Sequence, residues 1–189
     1  METAPTFLQL QESDFDPRFN RNYANAQEEK RGGRPYHFPQ GWYRHALKVE
    51  DKYPNDKAWL GMNNSPGEWI VAYHGTKPGV VKSIIDTGLQ HKFVTADACK
   101  AAAEQDPRIP KVKGLYVATH CEGGASIYTG SGTRIEGPAG TFKTYHTVFQ
   151  CRVENNKFTE HTGPVNVGLA LRVFDEKAIR PYGILLKTT

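Results

Sequence analysis

Cysteine is scarce in this chain of 189 residues: Cys99, Cys121 and Cys151 are three, an odd number at wide spacing. That pattern excludes the paired framework of a secreted disulfide scaffold and the ligand spacing of a zinc ribbon. A reducing, intracellular compartment, cytoplasm or nucleus, is expected. Long apolar runs are missing too, and no window approaches the length of a membrane span. Met1 to Gln11 has no basic segment followed by an apolar stretch, so neither an export signal nor a membrane partner is expected. Charge of one sign does not dominate either. Lys and Arg total 24 against 20 Asp and Glu, and the net +4 is a mild bias toward an anionic partner such as a dinucleotide, a nucleic acid or an acidic protein surface. Apolar residues at 38% and charged residues at 23% keep the chain clear of the disordered regime.

The length suits one domain with a full core. Residues 1–45 have few aliphatics, and Arg31-Gly32-Gly33-Arg34-Pro35 punctuates them as loop. They are expected to form an N-terminal extension of little regular structure wrapped over a domain at 46–189. Its interleaved Arg and aromatic residues, among them Arg18, Phe19, Arg21, Tyr23, Arg34, Tyr36, Trp42, Tyr43 and Arg44, suit either rings buried against that domain or a nucleic-acid surface, with burial the expected outcome.

From Trp69 onward the signals sharpen. Trp69 to Tyr73 is a short apolar, β-branched and aromatic run that predicts a buried strand ending in a turn at His74-Gly75-Thr76. Val80, Val81, Ile84 and Ile85 recur at helical spacing, with Gly88 as C-cap. Five alanines between Thr95 and Glu104, with Thr95 able to cap, predict a second helix. Gly114 to Thr119 reads as a strand and Glu122 to Tyr128 as two helical turns. Tyr145 to Val153 alternates cleanly, and Val167 to Phe174 and Tyr182 to Lys187 supply two further strands. Helices early and strands late predict an α+β fold.

A histidine at a strand end meets ligand where the core stops, although a lone histidine there is more often a satisfied histidine in a turn. Tyr116 and Tyr128, twelve residues apart, suit a sandwich around a flat heterocycle or a place in the core. Taken together, Tyr73-His74-Gly75-Thr76, the helix end from Ile84 to Leu89, Gly114-Leu115-Tyr116 and then Tyr128 resemble, in order and spacing, the poly(ADP-ribose) polymerase-like ADP-ribosyltransferases. The resemblance covers about Trp69 to Lys187. It implies split β-sheets with flanking helices and a glycosyltransferase reaction. NAD is the substrate, no metal is needed, and ADP-ribose passes to a protein or nucleic-acid acceptor with release of nicotinamide.

The resemblance also implies roles. His74 would bond ribose hydroxyls, the Gly75 backbone would anchor the nicotinamide carboxamide, and Tyr128 would stack on the ring with Tyr116 on its other side. His74 and Tyr116 are the expected catalytic residues; Gly75, Thr76, Ser126 and Tyr128 join them as NAD-binding candidates. Two positions depart from the family. Ala125 stands where a serine is common, with Ser126 next to it. Ala170 stands where polymerising members carry a glutamate, and 166–171 contains no acid. Glu160, in the preceding segment, reads as a solvated acid. The expectation is therefore a mono-ADP-ribosyltransferase, with a non-catalytic NAD or ADP-ribose binding module as the alternative. An RNA 2'-phosphotransferase needs basic residues in the same cleft, for which Lys77, Lys111, Lys113 and Arg134 are the candidates. His120, Cys121, His146 and Cys151 are not spaced as a compact metal site.

Overall fold

The computed structural model describes residues 6–25 and 29–189, so 1–5 and 26–28 of the expected arm lie outside the described residues. The first 46 residues contribute four short strands, β1 (Arg21–Asn22), β2 (Glu29–Arg31), β3 (Arg34–Tyr36) and β4 (Tyr43–Ala46). β5 (Ile70–Thr76) leads through α1 (Val81–Thr87) and α2 (Lys100–Ala103) to β6 (Leu115–Ala118). The remainder is β7 (Thr133–Glu136), β8 (Phe142–Val153), β9 (Phe158–His161), β10 (Ala170–Val173) and β11 (Ile179–Thr188). Nine of these strands form one antiparallel sheet in the order β1-β4-β11-β8-β5-β6-β10-β9, with β7 beside β8, while β2 and β3 make a separate hairpin. The fold is mixed, dominated by antiparallel strands and sparing in helix, and is compatible with the α+β expectation. No helix among the described residues is long and apolar enough to cross a membrane.

β8 organises the core because its alternation gives it two different faces. Phe149, Cys151 and Val153 pack with Ile70, Ala72, Leu171, Val173 and Ile184 on one side. Each large aliphatic buried there contributes about 1.5 to 3 kcal/mol. Val148 on the other side joins Val71, Tyr73, Ala118, Ala170 and Leu185, together with Tyr23, Tyr36 and Trp42 from the first 45 residues. The polar residues of this second face are buried as well. Gln150 accepts from Arg44 Nη1 at 3.1 Å and donates to the Tyr36 hydroxyl at 2.8 Å. Arg152 donates to the carbonyls of Trp69 and Gly61 at 2.6 and 2.7 Å. Their partners are protein groups, which is how a polar half-strand is accommodated in the interior.

Several sequence expectations need correction. The strand from Ile70 continues through His74 and Gly75 to Thr76 instead of turning at His74, because β8 is long enough to pair with all of it, Thr76 meeting Thr147. The helix expected over Thr95 to Glu104 shrinks to Lys100–Ala103, since Asp97 and the Cys99 N–H are bonded to Gly114, Tyr116 and Arg172 rather than to a helical turn. The helical turns expected over Glu122 to Tyr128 are a 3-10 segment, Ala125–Thr129, which starts only after the irregular backbone of Gly123 and Gly124. The expected first helix does form, and Gly88 caps it with its N–H donating to the Ile84 carbonyl. The first 45 residues carry short regular pieces where little was expected, and β4 pairs with β11 inside the main sheet.

Glu68 pins the β2–β3 hairpin to this body. Its carboxylate is buried, accepting from the N–H groups of Gly32, Asn63 and Asn64 at 3.0, 3.0 and 2.6 Å, and Arg152 lies 3.6 Å away. Glu68→Ala removes the counter-charge of a buried guanidinium and three N–H acceptors at once. It is expected to cost about 3 kcal/mol of stability, read as a lowered urea midpoint with unchanged slope.

Candidate functional site

β5 and β6 are neighbours in the sheet, yet only Tyr73 and Ala118 are paired between them. β5 is fully paired on its other side with β8, from Ile70 against Val153 to Thr76 against Thr147. The two strands therefore part at His74, and a cleft opens between them. His74 bridges the gap, its Nδ1 lying 2.9 Å from the Tyr116 carbonyl. A carbonyl only accepts, so Nδ1 carries the proton. Burial pushes the imidazole below its ordinary value, which leaves it neutral at pH 7 with Nε2 as a bare acceptor.

The cleft has two chambers. The larger, about 750 Å³, runs between the strands, α1 and the loop from Gly88 to Gly114, and is lined by Val80, Ile84, Phe93, Val94 and Ala98 among others. The smaller, about 100 Å³, lies against Tyr73, Gly75, Ala118, Ala125 and Ala170. His74, Tyr116 and Tyr128 line both. Among the described residues that line them, none is Asp, Glu, Lys or Arg.

The sequence candidates are distributed unevenly over this geometry. Thr76 lines the large chamber, whereas Ser126 lines neither, its hydroxyl accepting from the Gly123 N–H at 3.0 Å. Tyr128 rides on the 3-10 segment, 47% exposed, with its hydroxyl donating to the Pro164 carbonyl. Tyr116 presents no free hydroxyl. It donates to Asp97 Oδ1 at 2.5 Å and accepts from the Cys99 N–H at 2.8 Å, so what it offers the cleft is its ring and its carbonyl. Glu160 pairs with Arg34, and neither it nor Lys77, Lys111, Lys113 or Arg134 reaches a chamber wall. Among the described residues no three His, Cys, Asp or Glu converge as a metal-holding group. His120 instead stacks on His37 at 3.8 Å, and His146 Nδ1 lies 2.9 Å from the Thr129 hydroxyl.

Sequence reasoning missed Asp97 and Arg172. Arg172 is fully buried and clasps Asp97 through Nε and Nη2 at 2.8 and 2.7 Å. Burial opposes ionisation of Asp97, but the Arg172 guanidinium and the Tyr116 hydroxyl hold its carboxyl well below the usual carboxylate range. The signal was a charged residue in the middle of an apolar strand, Leu169 to Val173. A buried arginine demands a carboxylate, but the acids nearest to it in sequence, Asp175 and Glu176, take Lys157 and the His91 N–H instead, and the partner is Asp97.

Gly75 is required by close approach. A Cβ there would lie 1.9 Å from the Ala125 carbonyl oxygen and 3.1 Å from the Tyr128 Cβ. The segment carrying Tyr128 thus rests directly on the β5 backbone. Gly75→Ala is expected to push that segment outward, at a cost of about 2 kcal/mol, and to widen the small chamber. An unchanged urea midpoint would show that the segment yields freely and is not seated on Gly75.

Neither a family model nor a curated protein matches this chain, and the functional reading stands on the arrangement of His74, Gly75, Tyr116 and Tyr128 around the two chambers.

Proposed function

We propose that the chain is an ADP-ribosyltransferase-like protein. In this reading it holds NAD across the two chambers and transfers a single ADP-ribose to a protein or nucleic-acid acceptor. The observation that carries the reading is the shared wall: His74, Tyr116 and Tyr128 stand between a chamber with room for one small ring and a chamber with room for a nucleoside diphosphate. The parting of β5 from β6 also supports the split-sheet form of the fold.

On this reading the nicotinamide ring occupies the small chamber against Tyr128, over the Gly75 backbone. His74 Nε2 accepts from a ribose hydroxyl. Thr76 and the apolar residues of α1 and the following loop hold the adenosine end. The bond from the ribose anomeric carbon to the nicotinamide nitrogen breaks, and its electron pair leaves with nicotinamide. The acceptor's nucleophilic atom then bonds to that carbon and loses its proton. Orientation of the leaving group is what these side chains supply.

Tyr128 is half in solvent, so its truncation tests binding without dismantling the core. Tyr128→Ala should weaken nicotinamide by roughly 1 to 3 kcal/mol in calorimetric titration, the value of stacking a ring on an aromatic side chain. Unchanged affinity removes the stacking role.

A specific observation favours the alternative of a non-catalytic NAD or ADP-ribose binder: among the described residues no carboxylate lines either chamber, and the resemblance puts the glutamate of polymerising members near Ala170. Release of nicotinamide from labelled NAD separates the two readings. Ala170 borders the small chamber. A glutamate there would face the developing positive charge, and Ala170→Glu is expected to raise NAD hydrolysis tenfold or more. A variant that stays folded and binds NAD without any gain in hydrolysis would sink the catalytic reading in this register.

A further inference from the structure

The loop between α1 and β6, from Gly88 to Gly114, forms one wall of the large chamber, yet its only regular pieces are a single 3-10 turn at His91–Phe93 and the four residues of α2. Such a segment has little local structure to hold it. Leu89 packs into the core at its start, and its most heavily hydrogen-bonded tie to the sheet is Asp97. One carboxylate oxygen takes the Tyr116 hydroxyl at 2.5 Å and Arg172 Nε at 2.8 Å; the other takes Arg172 Nη2 at 2.7 Å and the Gly114 N–H at 2.9 Å. Arg172 Nη2 also donates to the Val112 carbonyl at 2.6 Å, and the Tyr116 hydroxyl accepts from Cys99 N–H. The middle of the loop and its C-terminal end thus meet β6 and β10 at one ion pair. Gly114 leaves the space for it, since a Cβ there would lie 2.2 Å from Arg172 Cγ. Of the other side-chain bonds, His91 N–H to Glu176 is exposed, and the exposed bond from Lys113 to the Val94 carbonyl runs within the loop itself.

The geometry points to Asp97 as a positioning residue: its clasp with Arg172 and Tyr116 fastens the 88–114 loop as the wall of the large chamber, and so sets affinity for the nucleotide end of the ligand and not for the nicotinamide end. The part concerning affinity rests on the proposed NAD site; the fastening of the loop does not. Bidentate guanidinium–carboxylate pairs suit this task because they fix orientation as well as distance. The small chamber is built from β5, β6, the 3-10 segment, Val165 and Ala170, and of these lining residues Tyr116 is the one hydrogen-bonded to Asp97.

Two variants of the full chain test this. Asp97→Asn leaves the buried Arg172 without its counter-charge. Asp97→Ala combined with Arg172→Met removes both charges and keeps the strand apolar, a replacement that buried ion pairs commonly tolerate; it serves if the single variant fails to fold. Limited trypsin digestion without any ligand reads the clasp directly, because Lys92, Lys100, Arg108, Lys111 and Lys113 all lie in the loop. Cleavage at these sites should accelerate at least tenfold over the natural chain, while sites in β8 and β11 stay protected. Cleavage at the natural rate in the folded double variant overturns the proposal. Titration with ADP-ribose and with nicotinamide then reads the affinity: a loss of tenfold or more for ADP-ribose with nicotinamide held within about twofold is expected. Equal losses for both overturn the division between the two ends. Failure of the natural chain to bind either ligand overturns the NAD reading and with it this division, and the digestion still decides the clasp.

Discussion

β5 has a complete partner on one side and, on the other, a strand it meets at a single residue pair. Because β8 satisfies its hydrogen bonds from Ile70 to Thr76, β5 runs on past Tyr73 while residues 115–117 of β6, which precede Ala118, lie apart from it. Polar backbone left open inside a protein must find partners. His74 supplies one, taking the Tyr116 carbonyl where the ladder would have continued. The parting of the strands makes the cleft, and the imidazole that spans it becomes one of its walls. Everything else at the site is arranged around that junction: Tyr128 is brought in because Gly75 lets its segment sit on the strand, and the outer wall is brought in through Tyr116 and Asp97.

The second face of the sheet raises a different problem, since it carries Gln150 and Arg152 at positions with no access to water. The first 46 residues answer it. Tyr23, Tyr36 and Arg44 close a hydrogen-bonded group around Gln150, and the hairpin anchored on Glu68 covers the region beside Arg152. A buried polar group left alone costs more than a paired one returns, so the covering segment and the sheet depend on each other. The rings of Tyr23, Tyr36 and Trp42 are buried for this reason, and Phe19, outside that contact, stays exposed.

How much of this was legible in the sequence follows from the range of the forces involved. β5, β8 and α1 were legible because period-two alternation, an apolar run and a glycine cap are local signals. Thr95 to Glu104 was misread for the opposite reason. Its alanines favour helix by a few tenths of a kcal/mol each, while Asp97 is drawn out of helical register by bonds to an arginine 75 positions away. Nothing local encodes that competition. β4 was read as loop because its partner, β11, lies at the other end of the chain. At the site, the structure brings His74, Gly75, Thr76, Tyr116 and Tyr128 to one cleft and leaves Ser126 outside it. That neither tyrosine keeps its hydroxyl free was not readable, because Tyr116 spends its own on Asp97 and Cys99 and Tyr128 on the Pro164 carbonyl, residues joined to them only through the fold.

The electrostatics of the cleft set what its chemistry has to rely on. Among the described residues the excess of basic over acidic residues does not appear in its walls, and Asp97 and Arg172 neutralise each other behind Tyr116. A dinucleotide in such a site gains its hold from ring contacts, the fixed dipoles of the backbone and a neutral imidazole, with no ion pair to its phosphates from the lining side chains. The same holds for a positive centre developing at the ribose. On the proposed reading, with no carboxylate among the described lining residues to meet that charge, stabilisation comes from geometry, the leaving group held in line by Tyr128 and Gly75 while His74 fixes the sugar. The frame for that geometry is the continuous pairing of β5 with β8, which holds His74 and Gly75, and the seat of the Tyr128 segment on Gly75.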